Sequence, residues 1–241
     1  MFNGTAANVL CLEALTQPWE GVVCARTAHL NVDECGAPER AGRKLLVVDT
    51  PDGRLTPEMV APLLQRIGDE HVIQPRVISI TQSTELGTVY APDAIAALAD
   101  WAHAHDMLLH LDGARLANAA AALGCSLGAL TTDVGVDAVS FGGTKNGAMG
   151  AEAVVLLREG LAAGFLYRRK QAMQLGSKLR YLSAQLGALL SNDLWRRNAE
   201  GLAQELEVKT EDEARRLAAR KNALNRFGKP EELANAIVFL C

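Results

Sequence analysis

Hydrophobic positions along this chain fall into short unbroken runs separated by longer stretches with helical periodicity. Gly21 to Ala25 (GVVCA), Lys44 to Val48 (KLLVV), Arg76 to Ile80 (RVISI) and Met107 to Leu111 (MLLHL) are short and mostly apolar, and turn residues lie between them. Each reads as a buried strand. Asp137 to Phe141 and Ala153 to Leu157 add two more, on either side of a glycine-rich turn. Between the strands, Ala6, Val9, Leu10, Leu12 and Leu15 mark an early helix, Pro57 to Ile67 a second, Ala91 to His105 a third and Leu116 to Leu123 a fourth. This alternation predicts an α/β protein with a mainly parallel sheet and helical crossovers. Beyond Leu157 the strands stop, and Leu161 to Leu190 reads as long and helical.

In an open α/β sheet, ligands bind beyond the carboxyl ends of the strands. That rule gives weight to two stretches. MLLHLDGARLAN ends a strand on Asp112 and breaks the chain at Asp112-Gly113 before Arg115; VSFGGTKNGAMG presents Lys145 on a tight turn between two strands. Alone, Lys145 reads rather as a solvated surface charge than as a catalyst. Together with Asp112 it suits pyridoxal phosphate, which needs a lysine for a Schiff base and an anion to keep its ring nitrogen protonated.

Other polar groups gather at the same expected rim. Gly4 and Thr5 open the first helix, where free N–H groups make a phosphate site or Thr5 simply caps the helix. His29 stands with Asp33 and Glu34 after the first strand, either stacking on a flat ring or serving as a polar loop residue. Gln82, Ser83, Thr84 and Glu85 follow the third strand. Arg168, Arg169 and Lys170 form a basic cluster, read as a solvated helix face or as a source of one arginine entering a site across a subunit interface.

Composition narrows the function classes. With 241 residues, 49% of them hydrophobic and 22% charged, the chain is long enough for a substantial core. A net charge of −4 with dispersed acid and base argues against a nucleic-acid partner and against a membrane-surface role. No apolar run reaches the roughly twenty residues of a membrane span. The five scattered cysteines form no CxxC pair, so a reducing, cytoplasmic setting without structural metal is the expectation.

Taken in order, NGTAAN, HLNVDECGAPE, HLDGARLANA and SFGGTKNG resemble the threonine aldolase branch of the aromatic amino acid β-eliminating lyase family, within the aspartate aminotransferase-like pyridoxal phosphate enzymes. The resemblance runs from about Met1 to Gln204 and implies an aspartate aminotransferase-like large domain. It implies Lys145 as the Schiff-base lysine, Asp112 at the pyridine nitrogen and His29 stacked over the ring. Arg115 would meet the substrate carboxylate or the cofactor hydroxyl, and Gly4 and Thr5 the phosphate. The implied reaction cleaves a β-hydroxy-α-amino acid such as L-threonine or L-allo-threonine to glycine and an aldehyde. A homodimer or homotetramer is implied as well.

Three departures shape the remaining expectations. The residues that family members carry before NGTAAN are missing here, so the domain reads as truncated at its amino end. A histidine expected after the third strand is replaced by QSTELG, which leaves Glu85 or a water to serve the β-hydroxyl. After about Glu205, NALNRFGKPEELANAIVFL resembles the late helix of short-chain dehydrogenases, without the glycine turn of such an enzyme. Residues 1–190 are therefore expected to form a partial cofactor-binding domain and 191–241 an atypical helical tail, dehydrogenase-like from about 207. Two alternatives stay open: another pyridoxal phosphate reaction such as β-elimination, and an inactive fragment that pairs with a full-length partner.

Overall fold

The structure, a computed structural model, describes residues 1–191. The dehydrogenase-like stretch and the expected helical tail lie outside the described residues.

Six strands form one sheet: β1 (Glu20–Ala25), β2 (Lys44–Val48), β3 (Gln74–Thr81), β4 (Leu108–Gly113), β5 (Ala138–Gly142) and β6 (Glu152–Leu156). They lie in the order β2-β1-β3-β4-β5-β6, parallel throughout except for β6, which runs antiparallel to β5. The chain builds outward from β1 to β2, then returns across β1 to β3. A switch point therefore falls between β1 and β3, and crevices for ligands open at such points beyond the carboxyl ends.

Helix α1 (Gly4–Leu15) packs on one face of the sheet, against β3, β4, β5 and β6. Its buried Cys11, Leu12 and Leu15 meet Val22, Cys24, Val77, Leu108 and Ala138. The opposite face carries α4 (Pro57–Val60), α5 (Pro92–Ala104) and α6 (Leu116–Leu123). There Val23, Ile78, Ile80, Leu109 and Leu111 meet Ile95, Leu98, Ala99, Ala102 and Leu116. The strand residues alternate between these two clusters, as the pleat requires. The nearly continuous apolar runs follow from burial on both faces. Two single turns, α2 (His29–Val32) and α3 (Ala37–Arg40), link β1 to β2.

Three expected elements differ. The cap of α1 is Asn3, whose Oδ1 accepts the Ala6 N–H at 2.8 Å, and not Thr5. The stretch from Pro57 gives α4 and then one 3-10 turn, Ala61–Leu64, because Pro62 has no N–H to continue the α-helical ladder. The long helix expected over Leu161 to Leu190 is two helices, α7 (Phe165–Gln171) and α8 (Arg180–Ser191). Gly164, at φ 71°, sets the start of α7, and the chain turns away at Met173, at φ 60°. Arg168 is also not a solvated charge: its guanidinium donates to the Glu13 carbonyl and ties α7 to α1.

Candidate active site

Loops from four strands and the start of α1 meet at the carboxyl edge of the sheet. Asp112, the penultimate residue of β4, pairs in register with Thr81 of β3 and Ser140 of β5 and is 4% exposed. Its Oδ1 accepts the Ala114 N–H at 3.0 Å, a bond that shapes the turn after the strand. Its Oδ2 accepts an N–H from the Asn8 side chain at 2.9 Å. One layer below, fully buried His110 bridges Ser79 Oγ (2.8 Å) and Ser140 Oγ (2.9 Å) and so joins β3, β4 and β5 under the site. Burial keeps the proton affinity of His110 well below its ordinary value.

Lys145 stands on a single 3-10 turn, Thr144–Asn146, directly after β5. The glycine pair before it has a packing reason. A Cβ on Gly142 would lie 2.7 Å from Ala114 Cα, and one on Gly143 would lie 2.4 Å from the Ala151 carbonyl oxygen. Gly142 lets the chain close on the turn that follows Asp112, and Gly143 lets it close on Ala151 before β6. Lys145 is exposed, yet the protein around it lowers its pKa through desolvation. The nearby Arg115 charge lowers it further, while Asp112, Glu152 and Glu85 oppose the shift.

His29 begins α2 and is held twice. Its backbone N–H donates to Glu85 Oε1 at 2.9 Å, and its ring Nδ1 lies 2.9 Å from Glu34 Oε1. The Glu34 hydrogen bond raises its pKa, with desolvation opposing, and Asp112 and Lys145 are the other charges it feels. Glu85 also accepts the Thr81 hydroxyl at 3.0 Å, and burial raises its pKa. The α1 start lies at the same edge, since Asn8 in its second turn reaches Asp112. Asn3 takes the Ala6 and Ala7 N–H groups through its side chain and carbonyl, which leaves those of Gly4 and Thr5 without an acceptor among the described residues. A Cβ on Gly4 would meet nothing within 4 Å, so the ground before it is open.

The expected residues thus come together: Lys145, Asp112, His29, Glu85 and Arg115 interact or share neighbours, and Gly4 and Thr5 open the helix that carries Asn8. Three polar residues without an expected role join them. Asn8 and Glu34 are each 3% exposed, and Glu152, 7% exposed, has its pKa raised by burial beside Thr144. Asn8 had a readable signal, because with Cys11, Leu12 and Leu15 it falls on the buried stripe of α1, where a polar side chain is out of place unless paired.

The fold and this edge define an aspartate aminotransferase-like α/β protein. An aspartate aminotransferase from Thermus thermophilus superposes with a TM-score of 0.60 at 14% identity, over 83% of this chain and 50% of that one. A threonine aldolase structure from Leishmania major gives a TM-score of 0.78 at 29% identity, over 83% of this chain and 58% of that one. The chain belongs to the β-eliminating lyase family, whose model matches residues 1–236. It is 47% identical over 201 residues to a low specificity L-threonine aldolase of Pseudomonas aeruginosa, across 83% of this chain and 58% of that protein. The chain spans 58% of the length of the two Pseudomonas threonine aldolases it matches. Its match to the family model extends over most of the stretch expected to be dehydrogenase-like.

Pyridoxal phosphate, the cofactor this family implies, makes four demands: an amine, an acid for the ring nitrogen, a flat partner for the ring and donors for the phosphate. Lys145, Asp112, His29 and the free N–H groups of Gly4 and Thr5 are chemically suited to these demands and share one edge of the sheet. Among the described residues no helix is long and apolar enough to cross a membrane, and no cluster of side chains suits a metal ion.

Proposed function

We propose that this chain carries the pyridoxal phosphate site of a lyase that cleaves a β-hydroxy-α-amino acid, L-threonine or L-allo-threonine, to glycine and an aldehyde. The single observation that carries the reading is the placement of Lys145 and Asp112 on adjoining turns, closed by Gly142, which no larger residue could replace without a shift. The printed activity of the 47% identical Pseudomonas protein supports the choice of reaction.

When bound, the cofactor supplies an electron sink for the bond broken at Cα. The chain's own residues do the rest. Lys145, its pKa lowered by burial and by Arg115, offers a larger neutral fraction of its amine for carbonyl attack. Asp112 would hold a proton on the ring nitrogen, and its two N–H partners fix its carboxylate. His29 would be the flat partner for the cofactor ring, and the N–H groups of Gly4 and Thr5 would serve its phosphate. Arg115 takes the substrate carboxylate or the cofactor hydroxyl. Glu85, whose proton affinity burial raises, takes the β-hydroxyl proton as the Cα–Cβ bond breaks.

Self-association into a homodimer or homotetramer accompanies this reading. It is supported by Leu166, Tyr167 and Met173, which lie 67%, 78% and 80% exposed within one short segment. Product analysis on L-threonine with added pyridoxal phosphate tests the reaction. Glycine and acetaldehyde in equal amounts are expected. A keto acid and ammonia would instead assign the site to elimination, and no turnover would favour a fragment that needs a longer partner.

A further inference from the structure

Four side chains from three separate parts of the chain form one buried line. The Asn8 amide nitrogen has two N–H bonds, and both are used: one donates to Glu34 Oε1 at 2.7 Å and the other to Asp112 Oδ2 at 2.9 Å. The same Glu34 oxygen lies 2.9 Å from His29 Nδ1. The Glu34 side chain is fully buried, while that of His29 is one-third exposed. A buried carboxylate is expensive unless donors converge on it, and here Glu34 Oε2 accepts nothing among the described residues, so the geometry does not maximise its satisfaction. What it does achieve is to place one acceptor where two elements, α1 and the His29 turn, can share it.

We infer that Glu34 is a positioning residue that locks the plane of the His29 ring, keeps a proton on Nδ1 and, through Asn8, joins His29 to Asp112. With its Nδ1 engaged by Glu34, His29 has Nε2 left for the crevice, and which nitrogen carries the proton is set by the bond the other makes. The backbone bond to Glu85 fixes the other end of the residue. The group over the ring face and the group at the ring nitrogen are then one hydrogen-bonded unit. Asn8 suits the middle because an amide nitrogen donates to two carboxylates at once and carries no charge to upset either. The charged groups around the His29 ring are Glu34, Asp112 and Lys145, with Glu85 at its backbone; of the three that act on its proton affinity, Glu34 and Asp112 raise it and Lys145 lowers it.

This inference rests on the proposed cofactor site, yet it is testable without the cofactor. The probe is 15N-histidine NMR of the full chain, titrated in pH before pyridoxal phosphate is added, with His29→Asn used to assign the resonances. The expectation is a neutral ring protonated on Nδ1 and a midpoint above the ordinary value of about 6.5. Glu34→Gln, which keeps the shape and removes the charge, should lower the midpoint at least about tenfold in proton affinity, and Glu34→Asp should restore part of it. An unchanged midpoint in Glu34→Gln overturns the inference. If that variant does not fold, the wild-type titration decides: an Nε2-protonated ring with an ordinary midpoint overturns it, and the expected Nδ1 form supports it. Failure of the cofactor reading shows separately, as no visible absorbance band when pyridoxal phosphate is added to a chain whose His29 titrates as expected.

Discussion

At the scale of single residues, neighbouring groups set the proton affinities on which the proposed site depends. Asp112→Asn should leave cofactor binding in place and lower turnover at least about a hundredfold, the lower end of what a positioned acid or base contributes. Cofactor absorbance and steady-state rates, measured side by side, separate the two effects. His29 gives a pH prediction with a definite sign. Its folded pKa is raised above 6.5, so its contribution to stability is present in full below the unfolded value and is lost as pH rises through the folded one. Urea midpoints of wild type and His29→Gln should therefore differ more at about pH 6 than at about pH 9; a constant difference would show that the Glu34 contact is not electrostatic. Lys145, Asp112 and His29 could be singled out as candidates in the sequence because each sits in a short motif with a chemical rationale. Asn8 and Glu34 stood inside two of those motifs without a role, since the contact between them spans 26 residues and only the packing of α1 on the sheet creates it.

At the scale of elements, the same contrast has a physical basis. The strands were legible because burial on both faces writes continuous apolar runs, whereas their direction was not: Glu152 to Leu156 reads like any other run but pairs antiparallel to β5. A nine-residue connection that carries the site lysine leaves no room for a crossover helix, and that is the reason for the reversal. Helix ends were less legible. Asn3 and Thr5 are both good caps by residue type, and the choice between them depends on which N–H groups the site leaves free. Asn3→Ala should cost about 1 kcal/mol of stability and loosen the start of α1; thermal melts with and without pyridoxal phosphate would show a larger loss in the bound form. Gly142→Ala forces a contact of 2.7 Å with Ala114 Cα. We expect it to destabilise the fold by about 1–3 kcal/mol and to weaken cofactor binding, because it pushes the lysine turn away from Asp112. A variant with unchanged affinity would show that the two turns need not close together.

At the scale of the molecule, the sheet is a platform that gathers side chains from distant parts of the sequence onto one edge, and the two apolar layers hold that edge still. The core is deep enough for one cut to be felt: Leu109→Ala, fully buried between α5 and the sheet, should cost about 2–5 kcal/mol. The chain covers 58% of the length of its Pseudomonas relative, so we propose turnover separately from cofactor capture. Cofactor capture is the more local property. On the proposed reading it draws on Lys145, His29 and the α1 start, all of which lie among the described residues. The most direct measurement is therefore a titration of the purified chain with pyridoxal phosphate followed by visible absorbance, run beside Lys145→Ala. The wild type should develop a saturable visible band that borohydride fixes to the protein at Lys145, and the variant should develop none. Identical titrations of the two proteins would contradict the assignment of Lys145 and with it the lyase site.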